Sequence, residues 1–328
     1  MNDYCYICGE KQTDFNDMKI FRFFIMAIVA GCFAAAPQVN AQTSSSANDA
    51  NNGFFQLPII PDSLVMHQDK VDFMLRHYWD FCDLNKAFSS RDKMAQAFDT
   101  YLSFMPHATA SVVYEEVPRF MKRIEKKPDN VAFIGELVES KLYSDSAEFQ
   151  SDELFLLFAN EIIANKKLDK NRKLRYQHLA KVLSASQPGE HAPAFDIVDL
   201  DGRKSLFAAD SAKQGTILFF NDPECDDCRM ARLRLDTDIR TRRIIEGGQI
   251  DLVSVYPGDP ANEEWRRMAA SNPQEWITVA SPNADELYDL RHSPAFYLLN
   301  PSGNILLKTD NVDLIISIMI QLAARLEQ

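Results

Sequence analysis

Between residues 57 and 186 apolar positions recur at helical spacing. Met94, Ala97, Phe98, Tyr101, Leu102 and Met105 form one such stripe. Helices are predicted around 64–79, from a capping box at Ser89-Ser90-Arg91-Asp92 onward, and around 108–126, 130–142, 151–165 and 169–184. Lys127-Pro128-Asp129-Asn130 is a typical breaker between two of them. At Ser186-Gln187-Pro188-Gly189-Glu190 proline and glycine together end the last helix, and the period changes. Residues 191–202 alternate toward a strand that ends in an Asp201-Gly202 turn. Strands are predicted at 216–221, 250–256, 277–280, 295–300 and 304–308, with helices at 225–245, 262–271 and 311–327. The fold class is therefore α + α/β: an all-α domain over 57–186, then an α/β domain over 187–328 that should fold by itself.

The formal net charge of −12 argues against nucleic acid or an anionic membrane surface as partner. A composition of 46% hydrophobic and 25% charged residues is that of a soluble globular chain. The first 41 residues read as an upstream extension and a secretory signal, with Met18-Lys19-Ile20-Phe21-Arg22 as the basic start and Phe23 to Ala36 as the short apolar run. Val39-Asn40-Ala41 suggests cleavage before Gln42, and residues 42–56, beginning Gln42-Thr43-Ser44-Ser45-Ser46, read as a flexible linker. Val29-Ala30-Gly31-Cys32 is the rival, a lipobox that would anchor the chain by a lipid at Cys32, although the residues after it stay apolar. Either route leads to the periplasm or cell envelope of a bacterium, where an oxidising environment permits disulfides.

The chemistry is expected at Asp222-Pro223-Glu224-Cys225-Asp226-Asp227-Cys228-Arg229, a C-x-x-C after the apolar strand Thr216-Ile217-Leu218-Phe219-Phe220 and before a helical pattern. A cysteine at a helix N-terminus faces the positive end of the macrodipole, which favours the attacking thiolate. Cys225 would be the nucleophile and Cys228, one turn on, would resolve the mixed disulfide. Half of a zinc site and a structural disulfide are the other readings of this spacing. Cys5-Tyr6-Ile7-Cys8 repeats the spacing without a strand before it or a helix after it. Cys82 reads as a buried small hydrophobe, and His67, His77, His107 and His178 form no ligand pair, so no metal is expected.

Several runs resemble the secreted thioredoxin-like thiol-disulfide oxidoreductases of the TlpA/ResA type, related to the broader AhpC/TSA group. They are Gly189-Glu190-His191-Ala192-Pro193-Ala194-Phe195, the C-x-x-C after a strand, and Ser293-Pro294-Ala295-Phe296-Tyr297-Leu298-Leu299-Asn300 with Gly303. The resemblance implies a thioredoxin-like α/β domain, a cis Pro294 facing the C-x-x-C, and Ser293 backbone groups that dock an extended substrate. The helical part resembles a domain of unknown function that precedes thioredoxin-like domains in secreted bacterial proteins, with His77-Tyr78-Trp79-Asp80-Phe81 as the recognisable run. Glu224 replaces the usual tryptophan, and Asp226-Asp227 the usual Gly-Pro or similar pair. These three carboxylates disfavour the Cys225 thiolate and so imply a reducing potential. A peroxiredoxin-type site would carry threonine or serine where Asp222 stands.

The function expected is an exported thiol-disulfide oxidoreductase that acts as a reductant through its own Cys225–Cys228 pair and needs no other cofactor. Its partners would be protein thiols and disulfides and a membrane electron donor. The alternative is a non-catalytic thioredoxin-fold binding module stapled by the same disulfide. Arg291 and His292, beside the docking proline, either approach the dithiol and offset its acidic neighbours or form a solvated loop pair.

Overall fold

The computed structural model describes residues 55–326, apart from 210 and 212. The signal, the Cys5–Cys8 pair, Cys32, the Ala41 cleavage site and nearly all of the linker lie outside the described residues. The helical part comprises α1 (His67–His77), α2 (Leu84–Ala87), α3 (Arg91–Phe104), α4 (Ala110–Ile124), α5 (Pro128–Val138), α6 (Asp152–Ala164) and α7 (Lys170–Ala185). Pro128 opens α5 at a position where a missing N–H costs nothing, and a π turn at Glu139–Tyr143 continues it. The expected capping box does not form. Ser90 is the N-cap residue of α3 without a side-chain bond, and the Ser89 hydroxyl instead donates to the Lys86 carbonyl at 2.6 Å, closing α2.

The helical core is built around aromatic rings. Trp79 stacks on Phe120 with centroids 4.9 Å apart, and Tyr78 meets Trp79 edge-on at 4.8 Å. The Tyr78 hydroxyl donates to the Ala97 carbonyl at 2.9 Å, so the His77–Phe81 run is a packing element whose last ring, Phe81, is 64% exposed. Cys82 is buried beside it, and burial pushes its thiol up to about 11.

The second part is a mixed sheet of seven strands, β1 (Phe195–Asp199), β2 (Lys204–Phe207), β3 (Gly215–Phe220), β4 (Ile250–Tyr256), β5 (Ile277–Ala280), β6 (Ala295–Leu299) and β7 (Ile305–Thr309), in the order β2-β1-β5-β4-β3-β6-β7. β5, β4 and β3 are parallel, while β6 and β7 on one side and β1 and β2 on the other run antiparallel. β2 was not among the expected strands. It is an edge strand with its residues largely exposed, so it lacks the apolar alternation that marks a half-buried one. Leu200-Asp201-Gly202-Arg203 joins it to β1, with Gly202 at φ 81°, a left-handed conformation that glycine adopts without a Cβ clash.

The helices of this part are α8 (Asp226–Thr237), α9 (Ile239–Glu246), α10 (Glu263–Ala269) and α11 (Val312–Leu326). The single helix expected over 225–245 is therefore two. Asp238 takes an extended conformation and its carboxylate accepts from the Thr241 amide at 2.8 Å, ending α8 and starting α9 with one residue. β3 is buried at all six residues, so alternate side chains serve opposite faces. Ile217 and Phe219 pack with Leu235, Ile244 and Met319 on the helix-covered face, while Leu218 and Phe220 join Phe195, Tyr288 and Tyr297 on the other.

Candidate redox site at the end of the central strand

The register of β3 with β6 assembles the site. Phe220 pairs with Ala295 in an antiparallel ladder, so the chain leaving β3 toward Cys225 and the chain entering β6 from Ser293 and Pro294 meet at one end of the sheet. Asn221 anchors the exit. It is buried, its amide donates to the Val255 carbonyl at 2.9 Å, and its side chain donates to Ser254 Oγ at 3.0 Å. Asp222 then accepts from the Glu224 amide at 2.8 Å, an Asx turn that aims the chain into α8.

Cys225 and Cys228 are joined by a disulfide. Cys225 is the N-cap residue of α8, where its sulfur accepts the Cys228 amide at 3.0 Å, the bond a serine or aspartate oxygen makes at ordinary helix starts. Cys225 is partly exposed, whereas Cys228 is 2% exposed. The Ser293–Pro294 peptide bond is cis, and Pro294 is buried. Ser293 reaches both sulfurs. Its carbonyl oxygen lies 3.4 Å from Cys225 Sγ, and its hydroxyl lies 3.0 Å from Cys228 Sγ, which carries no hydrogen in the disulfide and so accepts.

Glu224, Asp226 and Asp227 are all exposed. Asp226 pairs with Arg229 at 2.8 Å, a cation one turn along α8 that partly balances the acidic cluster. Asp227 instead lines a groove of about 410 Å³ beside the sulfurs, together with Met230, His292, Ser293, Pro294 and Asn311. Met230 is half exposed on the same helix and gives the groove an apolar side.

Arg291 follows neither expectation set for it, while His292 lines the groove with Asp227. Arg291 is 8% exposed and turned toward the helical part, where it donates to the Tyr143 carbonyl at 2.8 Å and to the Asp152 carboxylate. Its guanidinium also stands 4.2 Å from the centre of the Tyr143 ring and 2.7 Å from the buried Asp289 carboxylate. Lys308 of β7 completes the cluster on Asp152 and Asp289. His292 meets the Gln150 side chain at 2.7 Å. Sequence reasoning missed this cluster because Asp152, Asp289, Arg291 and Lys308 share no motif or period. The Asp226–Arg229 pair was missed as well, although its i, i+3 spacing is a signal that could have found it.

The fold is thioredoxin-like, and it carries a C-x-x-C at the end of its central strand. Residues 32–186 match the family described as Domain of unknown function (DUF5106). A thioredoxin-like protein from Bacteroides caccae is similar in structure over 81% of this chain and 98% of its own, at 22% identity and a TM-score of 0.67. Shorter similarities include a conserved protein of unknown function from Bacteroides fragilis, at 29% identity over 41% of this chain and 99% of its own, with a TM-score of 0.38. Another is the thioredoxin domain of a thiol-disulfide oxidoreductase from Bacteroides vulgatus, at 20% identity over 40% of this chain and 98% of its own, with a TM-score of 0.34. No curated protein matches the chain.

The ion cluster makes a pH prediction. Burial alone would raise the Asp152 carboxyl, but Lys308 and then Arg291 outweigh it, and the group titrates below its ordinary 3.8. A depressed folded value means that Asp152 contributes stability in full above 3.8 and loses it as pH falls through the lower folded value. In acid denaturation followed by circular dichroism, Asp152→Asn should be less stable than wild type at pH 7, and the gap should close below about pH 3.8. A gap independent of pH would show that the ionised carboxylate is not the stabilising form.

Proposed function

We propose that this protein is a thiol-disulfide oxidoreductase that reduces disulfides in protein substrates. One observation carries the reading: the partly exposed Cys225 sulfur sits at the start of α8, takes the Cys228 amide, and faces Ser293 beside an open groove. A thiolate at Cys225 is favoured there by that N–H and by the helix terminus. In the reduced protein the Cys225 thiolate attacks a substrate disulfide, forming one S–S bond and expelling one substrate thiolate, which takes up a proton. Cys228, buried one turn on, then attacks the Cys225 sulfur, closes the protein disulfide and releases the second substrate thiol. Two electrons and two protons pass to the substrate. A thiol-bearing or membrane-borne electron donor must restore the dithiol, and no cofactor besides the cysteine pair takes part. Ser293 is exposed at the end of the sheet, where its backbone suits an extended peptide segment of the substrate.

Mutants separate the two cysteines. Incubated with a disulfide-bonded protein, reduced Cys228→Ser should accumulate a mixed disulfide through Cys225, visible as a mass adduct, while Cys225→Ser should form none and reduce nothing. If wild type itself exchanges no disulfide, the protein is a binding module and its cysteines are a staple.

The acidic residues support a reducing poise, since charge on Glu224, Asp226 and Asp227 opposes the thiolate and favours the disulfide. Arg229 limits the effect by holding Asp226. For screened surface charges worth ~0.5–1 kcal/mol, replacing Asp226 and Asp227 with asparagine should make the potential less negative by roughly 10–20 mV. Equilibration with a glutathione couple reads this directly, and a potential that stays put or becomes more negative removes the support for a reductant.

The polar switch at Gln42 and the basic, then apolar start at Met18 support export to the periplasm or cell envelope. Mass spectrometry of the protein from the producing cell should find an N-terminus at Gln42. A lipid-modified peptide beginning at Cys32 would replace this with an anchored form.

A further inference from the structure

We propose that the helical part positions the substrate-docking loop of the redox site, with Asp152, Arg291 and Gln150 as positioning residues. The inference rests on the oxidoreductase reading above. Ser293 touches both sulfurs, and the two residues before it are each gripped from the helical side. Arg291 is fixed in three ways by that side: the Tyr143 carbonyl, the Asp152 carboxylate and the face of the Tyr143 ring. His292 is held by Gln150 and has the Asp145 carboxylate 4.0 Å away. From the sheet side, Asp289 takes the same Arg291 guanidinium, and Lys308 ties Asp289 to Asp152.

The geometry is stiff for physical reasons. Asp152 stands in the first turn of α6, whose start is fixed by the Ser151 hydroxyl accepting the Leu154 amide at 3.2 Å. A carboxylate is favoured at that helix end. A guanidinium fixes its partners through directional bonds, so a loop carrying it cannot slide without breaking several at once. Only His292 separates Arg291 from Ser293, so whatever fixes Arg291 also limits where Ser293 and Pro294 present their backbone to a peptide. A cluster that merely glued the two parts together would have no reason to act on substrates selectively.

That selectivity is the test. A peptide disulfide must dock on the loop, whereas 5,5′-dithiobis(2-nitrobenzoate) needs only access to Cys225. In the full-length reduced protein, Asp152→Asn should lower the second-order rate constant for the peptide by about fivefold or more and that for the small disulfide by less than about twofold, since modest misplacement of a docking element is costly. Gln150→Ala, an exposed position whose loss spares the cores, should lower the peptide rate alone by about twofold. Arg172→Gln, which breaks the exposed pairs with Asp129 at 3.0 Å and Asp169 at 3.8 Å, should change neither rate. Equal losses on both substrates, or no loss on either, would overturn the proposal. Should Asp152→Asn fail to fold, Gln150→Ala decides by the same criterion. A wild-type protein inert toward both disulfides would defeat the oxidoreductase reading and this inference with it, whereas an active wild type without selective loss defeats the inference alone.

Discussion

The pairing of Phe220 with Ala295 is the constraint on which the site depends. Because β3 and β6 run antiparallel in that register, the C-x-x-C and the cis-proline loop are brought together by main-chain hydrogen bonds among buried residues. A slip of one residue would turn Leu218 and Phe220 to the face of Phe219 and carry Ser293 away from the sulfurs. The two faces of β3 resist such a slip. Phe219 stacks on Phe296 with centroids 4.8 Å apart, and Phe220 packs on Tyr288 at 4.9 Å on the other side. The core thus fixes the register, and the register fixes where the two sulfurs and Ser293 meet.

A second constraint joins the two parts. Two cations and two carboxylates share one poorly hydrated place, where each would be expensive alone. Asp289 and Arg291 come from the approach to β6, Lys308 from β7 and Asp152 from α6. Breaking one member would leave charge uncompensated, so the cluster favours one arrangement of the helical part against the sheet. The aromatic cluster of the helical part and the two layers around the sheet are separate cores, each drawing on its own segment of chain.

Much of this was legible in the chain. The stripe Met94, Ala97, Phe98, Tyr101, Leu102 is buried on one face of α3, as helical spacing requires. The apolar run at 216–220 is a fully buried strand, and the C-x-x-C stands at the start of a helix. What stayed hidden depended on partners distant in sequence. Arg291 shows nothing locally to separate a buried, triply held guanidinium from a solvated one, because Tyr143 and Asp152 lie far back in the chain. β2 carries no core pattern because one flank is an edge. The break at Asp238 was a matter of competition, in which a single carboxylate serving as N-cap outweighed continued helix. Ser89 shows the reverse, a capping motif whose hydroxyl found a nearer carbonyl.

The sulfur environment also balances opposing terms, and distance decides among them. At Cys225 the closest favourable group is the Cys228 amide at 3.0 Å, with the rest of the α8 terminus behind it. Against it stands the Ser293 carbonyl oxygen at 3.4 Å, whose electron density faces that of a thiolate. The carboxylates of Glu224, Asp226 and Asp227 are exposed, so water and salt weaken their opposition, and Arg229 draws one of them away. Cys228 differs, since the Ser293 hydroxyl can donate to its sulfur while burial withholds water from it. The same serine therefore opposes charge on one sulfur and can support it on the other.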